Sequence, residues 1–515
     1  MSPRASLTAR VAAFAAVCAV GAPMAMATAS AGADMQATTV SGPTVRTPAS
    51  ERATVRAEGP TTVAAMSTAQ GFLGISTSLS TITALSGSAA DPDTPFVHLV
   101  KNLSPGAPSV LRLGGVGTDD SWWPIPGMKE RYLYALTPRW AADVRAMLTA
   151  VGGKAILGVN LESDSKRLAS TEVADFDRYI GPSLIDDFEL GNEPEFFPVA
   201  LPKGHPPHDY PYKIAHYGTE FSNIASALGG APLAGPASGA PNWLSHLGTI
   251  LRDLPSGLKL VTMHAYPMKN CSRLSQVSVP DFFIRSSIQG LADSIHDAVK
   301  TAAADGKPLR VDEFNGVSCG GKAGVSDSFG EALWALNALP ALWQAGVRGV
   351  DFQTVGGDFN ETVSGAQNQM IHAKHSAAGW SVSVQPEYYG LLAFAGAAPA
   401  GSHLLRISDR SLAHFYQFAV RAPDGSERVV LTNVGSVTRT IGVTASGTHG
   451  TGSLSLLSAK SLSATGGTTL AGQGLSSRTG QLTGTPRLTL VRPNAKGVYA
   501  VRVPAHAAAI LTLSA

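Results

Sequence analysis

The sequence predicts an α/β architecture, a (β/α)8 TIM barrel followed by a C-terminal antiparallel β-sandwich. Short β-branched or apolar runs recur eight times between Phe72 and Thr354, and helical patterns lie between them. The starts of these runs are about 40 residues apart, which leaves room for a strand, a helix and two loops. From about Pro399 the texture changes to strand-like runs joined by Gly, Ser and Thr, with no long helix evident.

The first 33 residues carry Arg4 and Arg10, an apolar stretch from Val11 to Ala27, and the small-residue patterns Ala25-Met-Ala27 and Ala29-Ser-Ala31. This is the pattern of a cleavable secretory signal, too short for a membrane span, so the expectation is a secreted, extracellular protein. Residues 34–69 are rich in Thr, Ala, Ser and Pro and read as a leader that adds one edge strand to the sandwich. The barrel is expected over residues 70–395 and the sandwich over 396–515. About 480 residues beyond the signal exceed what one hydrophobic core usually supports, in keeping with two domains.

The eight barrel strands are expected at Phe72 to Thr77, Val110 to Gly115, Ala155 to Leu161, Ile185 to Leu190, Pro232 to Pro236, Leu258 to His264, Leu309 to Glu313 and Val347 to Thr354. They read as apolar on both faces, the signature of parallel strands inside an α/β layer. Helices are expected at Trp140 to Leu148, Ile214 to Leu228, Phe282 to Ala304 and Phe329 to Ala345, several followed by Gly or Pro. Tyr388 and Tyr389 read as packing at the start of the apolar run Leu391 to Phe394. Sandwich strands are expected at Leu412 to Ala422, Glu427 to Asn433, Thr438 to Thr444, Ser453 to Leu457, Arg487 to Val491 and Val498 to Val503. Pro423-Asp-Gly-Ser426 forms a hairpin turn between the first two.

The formal charge of +2 includes the two signal arginines, so the mature chain is neutral before its termini are counted. With no basic run, neither nucleic acid nor an anionic membrane is an expected partner, and a monomer is expected. Of three cysteines, Cys18 lies in the signal; Cys271 and Cys319 remain as one pair in an oxidising compartment, where a disulfide is the expectation and two buried thiols the alternative.

Reactive residues of such barrels sit at the carboxyl ends of strands. Glu193, in Leu190-Gly-Asn-Glu-Pro194, follows the fourth run, and Glu313, in Leu309-Arg-Val-Asp-Glu-Phe314, follows the seventh. Two carboxylates facing each other across the mouth suit retaining glycoside hydrolysis, which needs a proton donor and a nucleophile ~5 to 5.5 Å apart. Asn192 is placed to hydrogen-bond a sugar 2-hydroxyl. His264 and Tyr266, at the end of the sixth strand, lie beside Glu313; the tyrosine hydroxyl can hold it ionised, and the histidine either lines the sugar site or sits in the core. Gln353 and Asn160, at the ends of the eighth and third strands, either bind sugar or close the barrel. Trp122 and Trp123 either stack on a sugar or pack in the core. No metal-ligand spacing is present and no cofactor is expected.

Arg112-Leu-Gly-Gly115 with Thr118-Asp-Asp-Ser-Trp-Trp123, then Leu190-Gly-Asn-Glu-Pro194, His264-Ala-Tyr-Pro267, and Glu313 with Val317-Ser-Cys-Gly-Gly321, in that order, resemble glycoside hydrolase family 79, which contains β-glucuronidases and heparanases. The resemblance runs from about Gly71 to the C-terminus. It implies Glu193 as acid/base, Glu313 as nucleophile, Asp119 near the sugar hydroxyls with Asp120 as a competitor, and a glucuronic-acid-containing glycoside or polysaccharide as substrate. It also implies that backbone amides at Gly320 and Gly321 hold the uronic carboxylate. Two successive glycines suit that task, since they allow close approach of N–H groups to an anion. Ser318 stands where some members offer a tyrosine hydroxyl to that carboxylate, and is shorter. The expected activity is an exo-β-glucuronidase; the alternatives are an endo-acting, heparanase-like enzyme, a barrel glycosidase of neutral sugars, and an inactive carbohydrate-binding protein. The choice of aglycone falls to the long loops around 198–212 and 356–376.

Overall fold

In a computed structural model of the chain, the residues described are 53–60, 67–128, 134–197, 213–254, 257–272, 274–354, 367–408, 412–447 and 449–515. The signal reading, most of the leader, the loop 198–212 and the part of the next long loop at 355–366 lie outside the described residues.

Eight parallel strands close into a barrel in sequence order: β1 (Leu73–Ser78), β2 (Val110–Gly114), β3 (Lys154–Val159), β4 (Ile185–Leu190), β5 (Leu233–Ser238), β6 (Leu258–Ala265), β7 (Leu309–Phe314) and β8 (Gly349–Gln353), which pairs back onto β1. Each run expected from the sequence is a barrel strand. After each strand comes a helix: α1 (Thr94–Asn102), α2 (Pro138–Val151), α3 (Lys166–Tyr179), α4 (Ile214–Ala225), α5 (Leu247–Asp253), α6 (Gln289–Ala304), α7 (Phe329–Gln344) and α8 (Pro386–Ala397). The helix α2 shows why the chain turns helical there. Thr137 Oγ1 accepts the Trp140 N–H at 3.1 Å, Pro138 pre-sets the first turn, and Gly152 ends it at φ 71°. Trp140, Val144, Leu148 and Val151 then fall on one buried face at helical spacing.

The stretch expected as one helix from Phe282 to Ala304 is broken. Short 3-10 turns occupy Val279–Phe283 and Arg285–Ser287, and the α-helix begins at Gln289. Two hydrogen bonds hold the break against α7 and the preceding turn: Trp334 Nε1 donates to Ser287 O at 2.7 Å, and Ser287 Oγ donates to Asp281 O at 2.6 Å.

The barrel interior also differs from the apolar reading of the strands. Arg310 on β7 makes a two-pronged ion pair with Asp351 on β8, at 2.6 and 2.5 Å. Above it, Arg112 on β2 is fully enclosed with Glu189 on β4 and Asp312 on β7. The outer faces of the strands remain apolar and pack on the helices, so the periodicity identifies the strands while the inner face carries paired charges.

Nine C-terminal strands and one from the leader form a ten-stranded sheet, with Val429, Leu431, Ile441, Val443, Val501 and Leu511 in its core. The helices α7 and α8 lie between barrel and sheet, and α7 is buried along almost its whole length. The leader strand is not an edge strand: Ala53–Pro60 sits inside the sheet, antiparallel to His403–Ser408 on one side and parallel to Arg439–Thr444 on the other. No helix among the described residues is long and apolar enough to cross a membrane.

Candidate active site

Glu193 stands just past the end of β4, in a turn that leaves the strand with φ 45°, an uncommon conformation for a residue with a side chain. The turn is held from β5 and from the loop after β2. The Glu193 N–H donates to Ala237 O at 2.9 Å, and the Asn192 N–H donates to Asp119 Oδ2 at 2.9 Å. Glu195, two residues on, accepts at Oε1 from Ser238 Oγ (2.9 Å), Gly239 N–H (2.8 Å) and Ala240 N–H (2.9 Å). Burial, with Glu193 close by, pushes its carboxyl up to about 7.

Glu313 on β7 faces Glu193. Its Oε2 accepts from Arg112 Nη1 at 3.0 Å and its Oε1 from Tyr266 Oη at 2.7 Å. Burial opposes ionisation of Glu313, but His264, Arg112 and Tyr266 outweigh it and hold the carboxyl below its ordinary value. Tyr266 Oη also lies 2.8 Å from Gln353 Oε1. A hydroxyl has one proton, so with the Gln353 amide turned to donate, the three side chains form one chain of donors ending on Glu313.

His264 bridges the two glutamates. Its Nδ1 is 3.0 Å from Glu193 Oε1 and 3.9 Å from Glu313 Oε1, and its Nε2 is 3.4 Å from Arg112 Nη2. Burial disfavours its charge, yet the Glu313 and Glu193 carboxylates raise its pKa. Its side chain is fully enclosed, and what it touches is the two glutamates and Arg112. One atom each of Glu193, His264 and Glu313 lie within 4.8 Å of one another, the one such grouping of possible metal ligands among the described residues. Arg112 already engages Glu313 and His264 Nδ1 already engages Glu193.

Several expected site residues lie beneath or beside this centre. Asp119 is an internal clamp: Oδ1 accepts the Leu161 and Glu162 N–H groups at 2.9 and 3.0 Å while Oδ2 takes Asn192 N–H. Its carboxyl joins the loops after β2, β3 and β4, and burial pushes it up to about 6. Asn160 is engaged likewise, donating to Asp119 O and Ser121 O and accepting from Ser163 N–H. Trp123 stacks on Tyr179 with centroids 5.5 Å apart, and Trp122 packs against Ile125 and Leu168, so both take the core reading.

The loop after β7 is tethered as expected. Cys271 and Cys319 form a disulfide, and the ladder Met268↔Val317 and Lys269↔Ser318 runs beside it. The Gly320 N–H has no acceptor among the described residues, but the Gly321 N–H already donates to Ser318 O at 3.3 Å. The paired-amide expectation is therefore reduced to one amide, because the glycines close a turn on themselves. Gly321 is required for closeness, since a Cβ there would meet Asn368 Oδ1 at 2.2 Å. Ser318 Oγ rests on the disulfide, 3.7 Å from Cys271 Sγ and 3.8 Å from Cys319 Sγ.

Two functional candidates escape the sequence reading. Arg112 makes the contacts to Glu313, Glu189 and Asn192 (Oδ1, 2.8 Å), and Glu195 clamps the end of β5. Arg112 carries a signal that could have found it, a cation in the middle of the apolar run Val110-Leu-Arg-Leu113, which burial tolerates only with partners.

No protein-family model and no curated protein sequence matches the chain. Solved structures match its fold along most of its length. A 4-O-α-L-rhamnosyl-β-D-glucuronidase from Fusarium oxysporum 12S, solved as a Rha-GlcA complex, is similar with TM-score 0.69 and 18% identity, over 89% of this chain and 100% of that one. The family 51 arabinofuranosidase from Xanthomonas axonopodis pv. citri follows with TM-score 0.62 and 13% identity, over 90% and 100%. An α-L-arabinofuranosidase from Thermotoga maritima, solved with arabinose, gives TM-score 0.61 and 11% identity, over 90% and 100%. These likenesses establish a (β/α)8 barrel carrying a β-sandwich.

Proposed function

We propose that the chain is a secreted retaining glycoside hydrolase of the family 79 type, acting as an exo-β-glucuronidase on terminal glucuronic acid. One observation carries the hydrolase reading. A carboxylate oxygen of Glu193 and one of Glu313 lie within 4.8 Å of each other, close to the ~5 to 5.5 Å spacing that serves double displacement.

In this mechanism Glu193 protonates the leaving oxygen and Glu313 attacks the anomeric carbon, giving a covalent glycosyl-enzyme. Glu193 then takes a proton from water, which attacks the same carbon and releases Glu313. Arg112 and Tyr266 keep Glu313 ionised for attack. Arg112 holds Asn192 by Oδ1, which leaves the Asn192 amide N–H groups for the sugar 2-hydroxyl. The uronide preference is supported by the Gly320 amide in its disulfide-tethered loop and by the likeness to a glucuronidase fold. Export is supported by the signal-like N-terminus, and exo action by the lack of a basic run that a sulfated polymer would call for.

A neutral-sugar glycosidase is the second reading, favoured by the engaged Gly321 amide and the arabinofuranosidase fold likenesses. Aryl β-glucuronide, β-galacturonide, β-glucoside, β-xyloside and α-L-arabinofuranoside assayed side by side decide it. Uronide preference with monosaccharide release supports the first reading; preference for any neutral glycoside overturns it.

A further inference from the structure

We propose that Glu195 is a positioning residue for the acid/base Glu193, holding the backbone against which the reacting carboxyl lies; this rests on the mechanism proposed above. Glu193 and Ala237 both adopt left-handed backbone without being glycine, at φ 45° and 52°, and they are joined by the hydrogen bond from Glu193 N–H to Ala237 O. Two such residues in contact are strained and stay so only if their surroundings fix them. The adjoining residues Ser238, Gly239 and Ala240 all donate to a single acceptor, Glu195 Oε1.

The clamp ends at the reacting atom. A Cβ at position 239 would stand 3.2 Å from Glu193 Oε1 and 3.5 Å from His264 Cβ, so Gly239 leaves the space in which the Glu193 carboxyl lies. Glu195 fixes the place of Gly239 through its N–H, and His264 Nδ1 holds Glu193 Oε1 at 3.0 Å. Without the clamp, the β5 end can relax and the acid loses its aim at the leaving oxygen. Glu195 touches no substrate in this scheme.

A displaced acid harms departure of poor leaving groups and spares good ones, because an activated phenolate leaves without a proton. Two substrates of the preferred sugar test this, a dinitrophenyl glycoside and an alkyl or unsubstituted phenyl glycoside. For Glu195→Ala, kcat/KM on the poor leaving group is expected to fall by about tenfold or more, with less than about a twofold loss on the activated one. Glu195→Gln keeps an oxygen acceptor for the three donors and is expected to restore most of the loss. Equal losses on both substrates, or a Gln variant no better than Ala, overturn the proposal. Circular dichroism and Tm of the variants accompany the kinetics, and if the Ala variant does not fold, Glu195→Asp, whose shorter side chain draws the acceptor back from the three donors, decides: a leaving-group-dependent defect supports the role, and a wild-type leaving-group profile overturns it. Failure of the wild-type protein to cleave any aryl glycoside would instead count against the hydrolase reading.

Discussion

Nη1 of Arg112 donates to Oε2 of Glu313 at 3.0 Å, and the arginine side chain has no exposed surface. The same guanidinium bonds Glu189 and Asn192, so one planar cation orients Glu313 and the residue beside Glu193 together. A lysine cannot reproduce that fork.

Arg112→Lys is therefore expected to lower kcat/KM by about 10²- to 10³-fold, the size seen when one fixed donor at a developing charge is removed. Glu189 would also exchange a two-pronged partner inside the barrel for a single ammonium, at a cost of about 1 to 3 kcal/mol. Steady-state kinetics and denaturant unfolding measure the two effects. Near-normal kcat/KM would show that Tyr266 alone suffices to orient Glu313.

The acid side of the pH profile follows from Glu313. Its folded pKa is held below the ordinary glutamate value, with burial opposing and His264, Arg112 and Tyr266 prevailing, so the ionised nucleophile survives into more acid solution than a free carboxylate. The acid limb of kcat/KM, which reports the free enzyme, is expected below the ordinary glutamate value of 4.5. An acid limb near pH 6 would contradict this environment for Glu313.

Stability is expected to have the opposite slope at higher pH. Burial raises Asp119 from 3.8 to about 6 and Glu172 from 4.5 to about 8, and His264 is raised as well. The folded state thus binds more protons than the unfolded state in the window from about pH 4 to 8, so stability falls as pH rises through it. For Asp119 alone the change amounts to roughly 3 kcal/mol across its part of the window. Tm measured from pH 4.5 to 8.5 should decline steadily, and a maximum near pH 8 would be the wrong sign.

The disulfide offers a separate test of the loop after β7. Cys271 and Cys319 are 48 residues apart in sequence and join the loops that follow β6 and β7. Replacing both with Ser is expected to cost about 2 to 4 kcal/mol of stability. If the Gly320 amide binds substrate, KM for an aryl glucuronide should rise more than kcat falls, because the nucleophile itself is held by Arg112 and Tyr266. An unchanged KM would remove the loop from substrate binding.

The barrel strands are legible because each is a short β-branched or apolar run, and Glu193 and Glu313 are legible because each closes or follows such a run. Ala507–Leu513 is not, since Ala-Ala-Ala-Ile-Leu reads locally as a helix former; it becomes a strand through pairing with Glu427–Asn433 on one side and Gly452–Ser458 on the other. His403–Ser408 is missed for a related reason, being flanked by the leader strand, whose place inside the sheet no local pattern announces. Asp119 fails differently. An acid in a strand-end loop looks ready for a sugar hydroxyl, and only the positions of the Leu161, Glu162 and Asn192 amides reveal a clamp. Arg112 and Glu195 act through residues far away in sequence, so their roles emerge only when strands β2, β4, β5 and β7 are brought together.

The division of labour between the two glutamates can be read from products as well as rates. Glu313→Ala is expected to lose turnover of an aryl glycoside by about 10⁴-fold or more, and Glu193→Ala to lose it mainly on poor leaving groups. Azide then separates the roles by geometry. In Glu193→Ala the glycosyl-enzyme still forms on Glu313, and azide entering the vacated acid position attacks from the face the aglycone left, giving the β-glycosyl azide. In Glu313→Ala no glycosyl-enzyme forms, and azide in the nucleophile's place attacks the substrate directly from the other face while Glu193 protonates the aglycone, giving the α-azide. The anomeric configuration by NMR distinguishes the two products. The same anomer from both variants would mean that the pairing of Glu313 with Arg112 and Tyr266, and of Glu193 with His264, does not separate nucleophile from acid.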